Sequence, residues 1–521
     1  MFLLFSILIP LAGFLACVTL FRRNASTAFQ VALGTSGLSL LTTLALVPEV
    51  TQNPTRLASA LDWNWISYPP IHFHLGVDGL SLWLIVATAL LTLIAIGSAS
   101  TYIGALPEER NPGVFLGWLL FLQAAITGVF AAQDLFLFYV FFELTLVPCL
   151  FLMGQWGTDQ GGSTRTGAAV QFFLYTFAAS ILMLGGIIYV FLKSGTFDYR
   201  NILSQLAAGS LRFTPAEQAP LFLAFFLAFA VKTPLFPFHS WQANAYATSP
   251  TALTIVMAGM MGKLGTYGLL RFVLPLFPTA ARAHVDMVSS LAILAILYGG
   301  LMAIVQPNLK RLLAYSSLSH LGFVVLGIFS FHQNGLDGAS YQMVCHAITT
   351  GALFLMAGYL ESRRQSSEIA DFGGIATQAP WLSSAFLFVA LASSGLPMLS
   401  NFVGEYLILQ GAAYTGMPYA VAAAVGVILS AVYLLWAYQR TFLGKPSQGA
   451  AGEQRYLDLE PREVLLAAPL LALTLWLGIQ SPPFLGPQSA VNAKILEQTK
   501  MNVEFRVNND TPNETAVANA D

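Results

Sequence analysis

Phe229-Ala230-Val231-Lys232-Thr233-Pro234-Leu235-Phe236-Pro237 sets a lysine and two prolines in a segment otherwise apolar enough to cross a membrane. Each proline removes an amide donor and frees the carbonyl four residues earlier, at Ala230 and Thr233, so free carbonyls flank Lys232. A break of this kind is tolerated at membrane depth where the backbone is buried in protein or lines a cavity. A second one follows at Ser393-Ser394-Gly395-Leu396-Pro397-Met398-Leu399-Ser400-Asn401-Phe402-Val403-Gly404-Glu405, where a proline among small and polar residues precedes a carboxylate. Paired breaks in two halves of one chain point to transporters built from repeats.

The rest of the chain agrees with a membrane protein. Hydrophobic residues make up 56% and charged residues 9%, against ~25% charged in a soluble domain, and the mean hydropathy is +0.68. No strongly basic or acidic face suggests nucleic acid. Runs of about 20 apolar residues predict an all-α integral membrane fold of about fourteen spans, at 1–21, 27–47, 78–100, 112–132, 134–153, 168–192, 218–237, 250–275, 284–305, 312–331, 336–360, 380–411, 417–442 and 463–480. Met1 to Phe21 has no basic residue before it and is followed by Arg22 and Arg23, which reads as a retained helix and not a signal peptide.

These spans divide into a three-helix segment (1–111), a five-helix repeat (112–275), a second five-helix repeat (284–442), a last helix (463–480) and a polar, flexible tail (481–521). Lys232 and Glu405 fall in the fourth members of the two repeats. An odd number of helices per repeat makes the two inverted, although no residue-level identity joins them. Segment 49–77, with Trp63, Trp65 and Tyr68, reads as an interfacial loop. Its His72 and His74 lack a clear carboxylate or thiolate partner, which favours a loop over a metal site. Cys17, Cys149 and Cys345 lie singly in apolar runs, so disulfides, zinc and iron–sulfur clusters have little support.

An even number of spans puts both termini on one side. Twelve Lys/Arg (Arg22, Arg23, Arg110, Arg165, Lys310, Arg311, Arg363, Arg364, Arg440, Lys445, Arg455, Arg462) fall in or near the loops of the other side. The side of the termini has six in its loops and flanks, with three more in the tail. The positive-inside rule predicts that the first group is cytoplasmic and that the termini face the periplasm or lumen.

Glu143, Lys232, Lys263 and Glu405 are ionisable residues inside otherwise apolar segments of the spans. Such a charge costs at least ~2.5–3.5 kcal/mol on insertion scales and usually marks an ion or proton path. Glu143, in Phe141-Phe142-Glu143-Leu144, has no other charge within a turn and is expected to pair with a lysine, Lys232 first; a static ion pair is the alternative. Lys263 lies in Gly259-Met260-Met261-Gly262-Lys263-Leu264-Gly265, where glycines allow close helix approach or water. No G-x-x-x-x-G-K-[ST] phosphate loop is present. His320, after Ser316, Ser317 and Ser319, and His346, in Val344-Cys345-His346-Ala347, also lie within spans. Each alone suits packing as well as relay. With the lysines and glutamates they make a proton relay, because imidazole changes protonation near neutral pH.

Over essentially its whole length the chain resembles the antiporter-like membrane subunits of proton-pumping respiratory complex I and its NDH-1 relatives. The matching motifs are Glu143 with its neighbours, Val231 through His239, Lys263, Ser319-His320, His346 and Asn401-Phe402-Val403-Gly404-Glu405. Gly76-Val77-Asp78-Gly79-Leu80-Ser81 is similar to a family signature of less defined role. The resemblance implies that Glu143 and Lys232 form a half-channel pair, that Lys263 is the central relay and that the histidines connect it onward to Glu405. A glutamate at the terminal position resembles chain 4 (M-type), as does the expected absence of an extended C-terminal amphipathic helix.

The resemblance further implies that this chain binds no flavin, iron–sulfur cluster or quinone headgroup. Quinone and redox centres would belong to partner subunits, alongside sibling antiporter-like subunits, in a bacterial inner membrane or a cyanobacterial or plastid thylakoid. Gly161-Gly162 and the long tail depart from common chain 4 wording and leave open a photosynthetic plastoquinone form or a carbon dioxide uptake form. A multisubunit cation/proton antiporter and a scaffold whose charges only specify packing are the competing readings.

Overall fold

The computed structural model describes residues 1–104, 106, 108–160, 162–445 and 456–510. Gly161, Arg455 and tail positions 511–521 lie outside the described residues. Among those described, thirteen helices are long and apolar enough to span a membrane, from Phe2–Thr19 to Pro461–Ile479. The fourteenth expected span, 380–411, is broken into Pro380–Ser393 and Ser400–Thr415, neither of which reaches across alone. The earlier break has the same form. Pro215–Lys232 ends at the lysine, and a second helix, Ser240–Thr248, continues beyond the expected limit at 237. In each set of five helices the fourth is therefore the divided one.

Hydrogen bonds between loops sort the chain into two faces. On one, Arg22 donates to Asn111, Arg110 to the Gln155 carbonyl, Arg311 to Ser163 and Asn244, and Arg462 to Ser100. On the other, the Gln133 amide donates to the His74 carbonyl and the Tyr199 amide to the Gln133 carbonyl. The helix Thr251–Leu276 runs between the faces with its 18-residue apolar window entirely buried. Its central part leaves the α-helical repeat twice, with π turns at Met257–Met261 and Leu269–Val273 on either side of Lys263.

Two expectations are corrected. Segment 49–77 is not a plain loop: β1 (Ala58–Ile66) pairs antiparallel with β2 (Ile71–Val77). The alternation around Trp63 and Trp65 is a strand period, and Trp63 stacks on Phe73 across the hairpin with ring centroids 4.7 Å apart. Both histidines have carboxylate partners after all, His72 with Asp62 at 2.8 Å and His74 with Asp198 at 2.6 Å. Asp198 caps a helix outside the spans, and although burial works against its charge, His74 and the Asn201 amide hold its carboxyl below the usual range.

The second correction concerns the tail, because residues 482–510 form a helix. Phe484, Val491, Ile495 and Leu496 are buried, a spacing that keeps one stripe against the bundle. Asn492 donates to Asp337 (2.9 Å) and Ser340 (2.8 Å), and Ser489 donates to Asp337 (2.6 Å). Polar composition concealed a docked helix whose contacts are themselves partly polar.

Asp78, of the Gly76–Ser81 segment, pairs with Arg271 at 2.6 Å, both nearly fully buried. Asp78 Oδ1 also accepts from the Leu80 and Ser81 amides, both at 3.2 Å. Removing one partner strands the other, so Arg271→Met is expected to cost about 3–5 kcal/mol. Loss of thermal stability in the detergent-solubilised protein, relieved in Arg271→Met with Asp78→Asn, would show it; an unchanged melting temperature would contradict it.

Candidate proton relay

Four of the six candidate residues form one buried row. The Lys263 ammonium lies 2.6 Å from His346 Nδ1 and also donates to the Ala258 carbonyl at 3.0 Å. That carbonyl is five residues earlier, at the π turn, where the α-helical ladder is already interrupted. The His346 and His320 rings have centroids 5.5 Å apart. His320 Nδ1 is 3.1 Å from Glu405 Oε1. All four residues are at most 3% exposed.

The ends of this row suit proton transfer. His346 uses Nδ1 toward the lysine, while its buried Nε2 has no hydrogen-bond partner among the described residues and remains available for a proton leaving toward His320. His320 Nε2 is 3.4 Å from both Ser393 Oγ and the Tyr433 hydroxyl. Tyr433 in turn contacts Ser316 at 2.9 Å. Gln342 donates to Glu405 Oε1 at 3.2 Å. Gln342, Ser393 and Tyr433 were not singled out from sequence, yet Gln342 stands one turn from His346 on the same helix, a spacing that shares a face.

Glu405 fits against the break that precedes it. Gly395 has φ +76°, and a Cβ there would come 2.6 Å from Glu405 Oε2. Gly395→Ala therefore adds both backbone strain, of about 1 kcal/mol or more, and a steric push on the carboxyl. It is expected to slow proton translocation severalfold with the protein still assembled; an unaltered rate would mean that the carboxyl position is not critical.

The other two candidates are placed differently from expectation. Glu143 and Lys232 make no ion pair. Lys232, fully buried, donates to Thr145 Oγ1 at 3.0 Å and lies 4.7 Å from the Phe142 ring centroid. Glu143 is half-buried, with Oε1 lacking a hydrogen-bond partner and Ser180 as its polar neighbour. The physical reason lies in the backbone: Leu135–Trp156 runs on as one span, but its α-helical hydrogen bonding is interrupted at Thr145, between Leu135–Leu144 and Leu146–Trp156. The hydroxyl at the junction, two residues from the carboxylate, takes the ammonium.

The segments that carry Lys232 and Lys263 approach closely. Gly265 leaves a gap filled by Thr233 and the Phe229 carbonyl; a Cβ at Gly265 would fall 2.2 Å from Thr233 Oγ1. The glycines around Lys263 thus serve helix approach, and the Thr233 hydroxyl, buried without a hydrogen-bond partner, stands between the two lysine segments. His239 is buried against Phe236 and Tyr298, with ring centroids 5.5 and 4.9 Å away, outside the row. The described residues hold no group of three or more His, Cys, Asp or Glu arranged for a metal.

A family model described as NADH:quinone oxidoreductase/Mrp antiporter, TM, matches residues 132–431, which include both broken helices and all six candidates. NADH-quinone oxidoreductase subunit M of Rickettsia prowazekii is 36% identical over 504 residues, 96% of this chain and 98% of its own length. Among solved structures, respiratory complex I from Thermus thermophilus contains a chain matched with a TM-score of 0.83 at 32% identity, over 95% of this chain and 100% of that one. The Mrp complex from Dietzia contains one matched at 0.82 and 22% identity, over 96% and 98%, a likeness of fold alone. With identity at this level across nearly the whole length, the chain belongs to the NADH:quinone oxidoreductase/Mrp antiporter membrane family, as an antiporter-like subunit of the M, or chain 4, type.

Proposed function

We propose that this chain moves protons across the membrane as the M-type subunit of an NADH-quinone oxidoreductase, using Glu143, Lys232, Lys263, His346, His320 and Glu405. The observation that carries the reading is the buried row from Lys263 through two imidazoles to Glu405. A scaffold would place each internal charge against a fixed counter-charge, whereas here Lys263 meets a neutralisable imidazole and Lys232 a hydroxyl. Redox centres and quinone belong to partner subunits, which include sibling antiporter-like chains. A conformational or electrostatic change from them moves Glu143 relative to Lys232, alters how firmly the lysine holds its proton, and passes one toward Lys263 and Glu405. The titrations are coupled, so the row behaves as a unit.

Subunit M identity at 36% over nearly the full length favours this over a free-standing cation/proton antiporter, for which the support is a shared fold. The bacterial relatives described above favour a respiratory inner membrane over a thylakoid. The face bearing Arg22, Arg110, Arg311 and Arg462 would be cytoplasmic and the termini periplasmic. Glu405→Gln tests the reading, because glutamine keeps volume and hydrogen bonding but exchanges no proton. Proton translocation by assembled complex is expected to drop severalfold, with assembly followed on native gels; full translocation would remove Glu405 from the path, and disassembly would return it to a scaffold role.

A further inference from the structure

The Arg/Lys-rich face has a cavity of about 810 Å³ to which the row above makes no reference. Ser98, Thr251, Lys310, Glu361, Ser367 and Arg462 are among its lining residues. Lys310 is 1% exposed yet fully paired, with Nζ 2.5 Å from Glu361 Oε2. Gln160 (2.8 Å) and Thr251 (3.2 Å) also donate to Glu361. Acidic residues outnumber basic ones in the lining, since Asp159, Glu361, Glu368 and Glu463 face Lys310 and Arg462. The Ser367 hydroxyl, on a residue 95% buried, has no hydrogen-bond partner among the described residues. A charged, acidic hollow with an unpaired hydroxyl suits water and protons and rejects an acyl chain.

Three helices lead inward from this cavity to Lys263. Thr251 begins the helix that carries Lys263, and Glu361 lies on the helix that carries His346. Between cavity and relay each has a glycine, Gly259 beside Ala258 and Gly351 beyond His346. Leu91, fully buried on the third helix, fills both gaps. Its Cδ1 is 2.5 Å from where a Cβ on Gly259 would sit, and its Cδ2 is 2.6 Å from the corresponding point at Gly351. Ser98, on the same helix as Leu91, lies at the cavity about 10 Å further along. Leu91 therefore lies at a depth between the polar vestibule and the Lys263–His346 contact and packs against both helices that carry that contact.

We propose that this vestibule is a proton inlet to Lys263, that the Lys310–Glu361 pair forms its floor, and that Leu91 is the apolar gate that closes it. The inference rests on Lys263 being a relay group. A narrow apolar constriction blocks conduction by excluding water, and a smaller, polar residue at the constriction wets it. The intact complex in sealed vesicles, with an imposed pH gradient and no redox turnover, gives the test. Leu91→Ser is expected to speed decay of the gradient at least ~3-fold, and adding Lys263→Met should restore the wild-type rate. Unchanged decay in assembled Leu91→Ser complex, or a fast decay that survives Lys263→Met, overturns the gate. Normal redox-driven pumping in Lys263→Met alone would instead overturn the relay reading, so the two failures are distinct. If Leu91→Ser does not assemble, Ser98→Cys decides the matter, because Cys17, Cys149 and Cys345 are all buried. A membrane-impermeant maleimide should label that position from the Arg/Lys-rich side in intact complex; no labelling there overturns the vestibule.

Discussion

Lys263→Met is expected to abolish proton translocation while the subunit remains inserted and the complex assembled. The ammonium is completely buried and makes two contacts, to His346 and to the Ala258 carbonyl. Methionine retains most of the apolar stem and its packing, so the substitution takes away the proton carrier with little change in volume. It leaves one imidazole nitrogen and one carbonyl unpaired, at about 1–3 kcal/mol each, which a bundle with this much buried surface can absorb. Lys263→Arg should rescue little, because guanidinium keeps its proton at any accessible pH and its planar fork does not fit a site shaped for a point charge. Translocation coupled to quinone reduction, read with a pH-sensitive dye in sealed membranes, is the measurement. A decrease of less than about tenfold, equivalent to ~1.4 kcal/mol on the barrier, with normal assembly, would place the proton path elsewhere.

The two halves of the path differ in how their charges are held, and this bears on how such a subunit could be driven. From Lys263 to Glu405 every member touches or nearly touches the next. Lys232, by contrast, is tied to Thr145 at a helix junction, with Glu143 two residues away, beside Ser180 and not paired with the lysine. A row in continuous contact is suited to carry a proton. A cation with a choice between a hydroxyl and a carboxylate is suited to respond to an external push, since it gains or loses a counter-charge when the junction shifts. Thr233, next to Lys232, packs against Gly265, two residues from Lys263.

Sequence made the membrane class, the span positions and both broken helices legible, because hydropathy and proline act locally and strongly. It also located every ionisable member of the row, since charge in an apolar run is conspicuous. What it could not supply was distance. Glu143 and Lys232 were natural partners by charge, but the choice of Thr145 depends on where one helix is interrupted, which only Pro148 marks, by freeing the Leu144 carbonyl. The hairpin at Ala58–Ile66 and Ile71–Val77 has the alternation of a strand in a chain otherwise read at helical period. The helix after Ser481 binds partly through Ser489 and Asn492 to Asp337, so polarity there signalled contact with buried polar groups and not solvation. The Lys310–Glu361 pair joins residues 51 positions apart whose span-end locations made them look like loop charges.

Glu143 and Lys232 are expected to behave as one unit in pumping even though they are not in contact in this structure. If the carboxylate serves as the alternative partner for the ammonium, Glu143→Gln removes the choice, leaves Lys232 permanently on Thr145, and disables the switch. Adding Lys232→Ala should then do little further harm, so that the double variant pumps about as poorly as the worse single one. Residues sharing a network usually show coupling of ~0.5–3 kcal/mol, whereas independent sites add. Assembly should show a different pattern. Lys232→Ala leaves Glu143 without a cation nearby, while the Thr145 hydroxyl keeps its bond to the Phe142 carbonyl; Glu143→Gln leaves the Lys232–Thr145 contact intact. The double variant, with no internal charge left at this site, should therefore assemble at least as well as Lys232→Ala alone. Pumping in sealed membranes and assembly on native gels, measured for both singles and the double, complete the cycle. Losses that simply add in both assays would show that the two residues act separately, and would reduce the Glu143 end of the path to a structural feature of the helix junction.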